Sequence, residues 1–81
     1  MESPVTRDGA KAVLQAGGDL VSTTVPGLRR LLRELLQDGV RELVLDLSQA
    51  RMVDSSGIGL LMAAYNSLET VGGSLTVVHA S

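Results

Sequence analysis

The chain has 81 residues, 44% hydrophobic and 20% charged, with nine acidic side chains against seven basic ones and no cysteine. That length allows one domain, 1–81, with a modest core, and the composition excludes a disordered or fibrous class. A formal charge of -2, a single tyrosine without Phe or Trp, and a lone His79 exclude a broad phosphate-binding field, a base-stacking platform and the usual zinc ligand sets. Direct nucleic-acid binding and a metal or other cofactor are therefore not expected. The opening "MESPVTRDGA" lacks a basic n-region and an apolar h-region, and no apolar run nears the roughly 18 residues of a membrane span. The expectation is a cytoplasmic protein without a membrane span.

In chain order, "PVTRDGAKAVLQAGGDL" predicts a hairpin, because Asp8-Gly9 is a turn signal between Val5-Thr6 and the run from Lys11 to Ala16. Gly17-Gly18-Asp19 ends the second strand. "LVSTTVPGLRRLLRELLQDG" then predicts a helix, with Thr24 as cap, Pro26 in the first turn and Gly39 at a left-handed exit. Its residues Leu28, Leu31, Leu32, Leu35 and Leu36 form one apolar stripe, leaving Arg29, Arg30, Arg33, Glu34 and Gln37 mostly to solvent.

The segment "VRELVLDL", Val40 to Leu47, reads as a strand covered on both faces, with Leu43, Leu45 and Leu47 pointing one way and Val44 and Asp46 the other. After "SQARMV", a second helix begins near Gly57 and runs to Gly72-Gly73, and "SLTVVHA" is a last strand. A strand, helix, strand order with crossovers too long for hairpins predicts parallel pairing through right-handed connections. The fold class is thus α/β, a mixed sheet with an N-terminal hairpin and helices packed on it.

The stretch "VDSSGIG", Val53 to Gly59, holds the chemistry-bearing residues. A dinucleotide loop would need a third glycine, and no G-K-[ST] follows for a nucleotide-phosphate loop. A serine hydrolase would need G-x-S-x-G and a histidine base, whereas His79 lies at the end of the last strand. No catalytic residue is assigned, and the chain is not expected to be an enzyme. Asp54, Ser55 or Ser56 could each cap the helix, worth about 1 kcal/mol, but one helix start does not require all three. A phosphate on one of the serines would meet the positive end of the helix dipole, while its charge would oppose a partner docked there. In the same helix Leu60, Leu61, Ala64, Leu68 and Val71 can face the sheet. Ile58, Met62 and Tyr65 lie towards another side, as part of a wider core face or as a docking surface.

"LVLDLSQARMVDSSGIGLLMAAYNSLETVGGSLTVV" resembles the STAS domain of bacterial anti-sigma factor antagonists, with its D-S-[ST]-G-[LI]-G helix start and its G-G turn into the next strand. "GGDLVSTTVPGLRRLL" is similar to the family's G-[ED]-[LI]-D segment. The resemblance implies a phosphorylation-controlled binding switch. On that resemblance Ser55 would be the residue modified by an anti-sigma factor serine kinase, the unmodified form would bind that kinase, and a serine phosphatase would reset the system. Asp54, Ser56 and Gly57 support the motif, and Asp46 matches a position commonly acidic or Asn. Ile58, Met62 and Tyr65, if they form a docking surface and not a wider core face, are expected to join the partner contact.

Three departures stand out. Val21 replaces the Asp of the G-E-L-D segment, Met52 replaces a usual aromatic, and the sequence stops before the family's usual C-terminal elements. An uncovered sheet would then favour self-association. The alternative is a non-switching STAS scaffold in a signalling complex or a cytoplasmic regulatory module of a transporter. Retention of Ser55 favours the switch.

Overall fold

The computed structural model describes residues 5–79. Pro4 and Ala80, at the ends of the first and last strand-forming segments, lie outside the described residues. β1 (Val5–Asp8) and β2 (Lys11–Gln15) form the hairpin, with Val5 opposite Leu14 and Asp8 opposite Lys11. Gly9 at φ 62° makes the left-handed turn between them. Then come α1 (Val25–Gln37), β3 (Glu42–Asp46), α2 (Ser55–Thr70) and β4 (Ser74–Val78). β3 pairs parallel with β2, and β4 parallel with β3, giving a mixed sheet in the order β1-β2-β3-β4.

The core occupies one face of this sheet. Ala12 and Leu14 of β2, with Leu43 and Leu45 of β3, pack under Leu28, Leu32 and Leu35 of α1 and under Leu60, Ala64 and Leu68 of α2. Leu31 and Leu36 flank the stripe as half-buried neighbours. With no aromatic in it, this core depends on aliphatic fit, and a Leu→Ala change there costs about 2–5 kcal/mol. The opposite face carries the cross-sheet row Thr6, Val13, Val44 and Thr76, none of them buried. β3 is therefore shorter than Val40 to Leu47 and covered on one face only. Its Leu-Val-Leu run hides the alternation because the solvent-side residue is itself apolar.

Both helices leave by the same route. The Val40 N–H donates to Leu35 O at 3.0 Å and the Gly39 N–H to Leu36 O at 3.2 Å. In α2 the Gly73 N–H donates to Leu68 O at 2.7 Å and the Gly72 N–H to Glu69 O at 3.1 Å. These are paired bonds across a left-handed glycine, Gly39 at φ 97° and Gly72 at φ 76°. Val71 caps α2 and is 45% exposed, so it does not face the sheet as the helical spacing suggested.

Thr24 also departs from expectation. Although it precedes α1, its Oγ1 makes no bond to the helix N–H groups. Instead the hydroxyl donates to Asp19 O at 2.6 Å and accepts from the Val21 N–H at 3.1 Å, bracing the loop that enters the helix. Pro26 sits in the first turn, where its missing N–H costs no helix bond.

Candidate functional site

α2 starts at Ser55, two residues before the position expected from the glycine, and Asp54 is its cap. Asp54 has the extended backbone of a cap, φ -91° and ψ -172°, and its Oδ1 accepts from the Gly57 N–H at 3.1 Å. Its other oxygen, Oδ2, accepts from the Ser22 N–H at 3.3 Å. Ser56 is thus not the cap. It lies in the first turn, half-buried, while Ser55 beside it is exposed. Among the described residues neither serine hydroxyl makes a hydrogen bond.

The helix start is held against the entry to α1. Leu20 and Val53 form a parallel bridge, with the Leu20 N–H donating to Met52 O at 2.9 Å and the Asp54 N–H to Leu20 O at 3.0 Å. Asp19 extends this short ladder, its Oδ1 accepting from the Arg51 N–H at 2.8 Å and the Met52 N–H at 3.1 Å. Gly57 completes the junction through close approach. A Cβ there would lie 2.6 Å from Leu20 O and 2.8 Å from Val53 Cγ1, distances that real side chains do not tolerate.

The clamp formed by Asp19, Leu20 and Ser22 is the part of the site that residue-level reasoning passed over, reading Asp19 only as a strand breaker. The available signal was the likeness of "GGDL" to the family's G-[ED]-[LI] segment. Val21, half-buried in that loop, contributes no carboxylate.

From this start α2 presents Ile58, Met62 and Tyr65 outward, at 52%, 62% and 53% exposure, so the core does not absorb them. Met52, 59% exposed, stands in the loop leading into the helix. The Glu69 carboxylate, one turn beyond Tyr65, holds that phenol above its ordinary pKa by accepting its hydrogen bond and by repulsion of the phenolate. Neutral, the ring offers an apolar body with a polar tip.

Asp46 does not join this cluster. Its side chain is on the sheet face away from the helices, where Oδ1 accepts from the Ser48 N–H at 2.9 Å. Hydrogen bonds from the Ser48 backbone and side chain hold its carboxyl below the usual value of 3.8. His79, past the end of β4, is exposed and makes no hydrogen bond to either serine. No cluster of three or more His, Cys, Asp or Glu able to hold a metal occurs among the described residues. No helix among them is long and apolar enough to cross a membrane.

A family profile described as "Mlab, STAS domain" matches residues 3–81. The anti-sigma-B factor antagonist of Staphylococcus aureus (strain NCTC 8325 / PS 47) is 34% identical over 55 residues, 68% of this chain and 51% of that protein. The chain therefore spans about half the length of the curated relatives it matches. An anti-sigma factor antagonist from Mycobacterium paratuberculosis superposes with TM-score 0.86 at 25% identity, over 99% of this chain and 68% of the other. The anti-sigma factor antagonist SpoIIAA gives TM-score 0.83 in its unphosphorylated form, at 22% identity, covering 99% of this chain and 74% of the other. In its phosphorylated form it gives 0.79 at 18% identity, covering 99% and 92%. The profile match over nearly the whole sequence, on a mixed sheet whose second helix opens with D-S-S-G-I-G, shows that the chain belongs to the STAS domain family, of the kind found in anti-sigma factor antagonists.

Proposed function

We propose that the start of α2 is a phosphorylation-controlled docking surface and that the domain acts as an anti-sigma factor antagonist in the cytoplasm. With Ser55 unmodified it binds a serine kinase-type anti-sigma factor. The kinase moves the γ-phosphoryl group of ATP to Ser55 Oγ, the hydroxyl proton and ADP depart, and the complex separates. A serine phosphatase hydrolyses the ester and restores the binding form.

The observation that carries this reading is the division of labour at the helix start. Asp54 supplies the cap and Gly57 the close approach, so Ser55 is exposed with a hydroxyl committed to no intramolecular bond. A phosphate there meets the positive end of α2 and spares the fold. Against a docked partner its charge of about -1.5 to -2 must be desolvated beside Asp54. Two unit charges about 4 Å apart repel by about 4 kcal/mol at an effective dielectric of 20. Reversing a complex from 99:1 to 1:99 takes about 5.5 kcal/mol, so one phosphate is a switch of adequate size. Ile58, Met62 and Tyr65 give that partner an apolar footing along the same helix.

The test is to incubate the purified chain with candidate kinase-type anti-sigma factors and ATP, locate the phosphate by mass spectrometry and follow the complex by gel filtration. The parent should gain one phosphate on Ser55 and dissociate. Ser55→Ala should stay bound. Ile58→Ser and Met62→Ser should each weaken the unmodified complex about tenfold, or ~1.4 kcal/mol, with thermal stability unchanged. Equal release of Ser55→Ala and the parent on adding ATP would refute the proposal.

A further inference from the structure

The cationic residues of this chain are unevenly employed. Of its seven Lys and Arg side chains, Arg7 pairs with Asp38, Lys11 lies 4.0 Å from Glu42, and Arg41 donates to Leu36 O and Val40 O at 3.0 and 2.8 Å. Arg51 stands apart in the loop before α2. The other three, Arg29, Arg30 and Arg33, are exposed on α1, and among the described residues none has an ion pair or a side-chain hydrogen bond. All three line one open cleft of about 350 Å³, with Val25 and Pro26 on its α1 side and Ser56 on its α2 side.

A second depression, about 140 Å³, runs between the helices and shares two of the same arginines. Arg29 and Arg33 rim it, and Leu36, Ala63 and Ser67 line its length. The two hollows adjoin at Arg29 and Arg33, which line both, and together they make one track of surface from the start of α2 along the α1–α2 seam. Its floor is largely apolar and its rim cationic on the α1 side. On a chain of net charge -2, three guanidiniums without an ion pair among the described residues, on about one and a half turns of a helix with Glu34 as the acidic neighbour, are a local excess of positive charge.

We propose that this track is a docking site for an acidic amphipathic helical segment of a protein partner. Carboxylates spaced one turn apart would reach Arg29 and Arg33 in forked, charge-assisted pairs, with Arg30 taking a third. Aliphatic side chains from the adjacent face of the segment would enter the seam beside Leu36 and Ala63. The site rests on reading this end of the domain as a docking surface, since Ser56 brings the track to the residue next to Ser55. It depends neither on phosphorylation nor on the identity of the kinase.

The test uses the full chain and a synthetic 14-residue helical peptide with Glu on one stripe and Leu on the next, about 21 Å long. A counterpart with Lys for Glu serves as control. In a ¹H–¹⁵N titration the acidic peptide should shift amides of Arg29, Arg30, Arg33, Leu36, Ala63 and Ser67. Its binding should weaken at least tenfold between about 0.05 and 0.5 M salt. The double variant Arg29→Ala, Arg33→Ala keeps helix propensity and should fold with unchanged thermal stability while binding at least tenfold more weakly. The Lys peptide should not bind. Absence of shifts along the track, equal binding of the Lys peptide, or full binding by the double variant would overturn the assignment. Tighter binding of a single-stranded oligonucleotide of matched charge would overturn the choice of a protein partner. Because no kinase or ATP is present, these outcomes are separate from success or failure of the Ser55 switch.

Discussion

Gly57 and Gly59 lie two residues apart in the same helix, and the structure assigns them opposite responses to alanine. Alanine is favoured over glycine inside a helix by about 1 kcal/mol, so propensity alone would stabilise both variants. At Gly59 a Cβ meets nothing within 4 Å, and that gain should be realised in Gly59→Ala. At Gly57 the same atom would lie 2.6 Å from Leu20 O, 2.8 Å from Val53 Cγ1 and 2.9 Å from Leu20 Cβ. Backbone must move, because Leu20 O is the acceptor of the Asp54 N–H at 3.0 Å and belongs to the ladder that seats α2.

Overpacking of this kind costs about 1–3 kcal/mol, and a strained ladder bond adds about 1 kcal/mol. After subtracting the propensity gain, Gly57→Ala should lose about 1–3 kcal/mol. For a domain this small that is a fall in Tm of about 4–8 °C per kcal/mol. Thermal and urea unfolding followed by circular dichroism would measure both variants against the parent. A Gly57→Ala protein as stable as Gly59→Ala would refute the claim that the first motif glycine, Gly57, is there for close approach.

Asp19→Ala removes the acceptor for the Arg51 and Met52 N–H groups and should cost about 1–3 kcal/mol, with the amides of Arg51 and Met52 losing hydrogen-exchange protection first. The Asp46 carboxyl, held below 3.8 by Ser48, adds stability above its unfolded pKa that is lost as pH falls through its lower folded value. Asp46→Asn should therefore flatten the acid limb of a stability–pH profile below about pH 4, leaving the neutral limb parallel to the parent. β4 pairs only with β3 among the described residues, and Val77 and Val78 are 43% and 44% exposed on opposite faces of the strand. The chain should self-associate through that edge at high concentration, and light scattering that finds a strict monomer would count against it.

The parts of the fold written in local patterns are legible in the sequence. Leu28, Leu32 and Leu35 at helical spacing mark the buried side of α1, and the glycines at 39 and 72 mark both helix exits. D-S-S-G-I-G marks the start of α2 to within two residues. Less legible was anything set by contacts between distant segments. Thr24 has the residue type of a cap, yet its hydroxyl bonds to Asp19 O, a partner that only the folded loop supplies. Asp19 and Met52 are 33 positions apart, and no short-range spacing announces their bond. Val44, apolar and half-buried, made β3 look enclosed because residue type alone does not distinguish a helix-covered face from an open one.

The ladder joining residues 19–22 to 51–54 also governs when the docking surface proposed at the start of α2 can form. Its bonds span 32 to 34 residues of chain, which include all of α1 and β3, so the entropy of closing that loop is met only once those elements are in place. Helical content in α2 can arise locally, whereas the orientation of Asp54, Ser55 and Ile58 cannot. On the proposed function, a partner docking here would therefore read completion of the fold, and a nascent or partly unfolded chain would present the helix without the proposed surface.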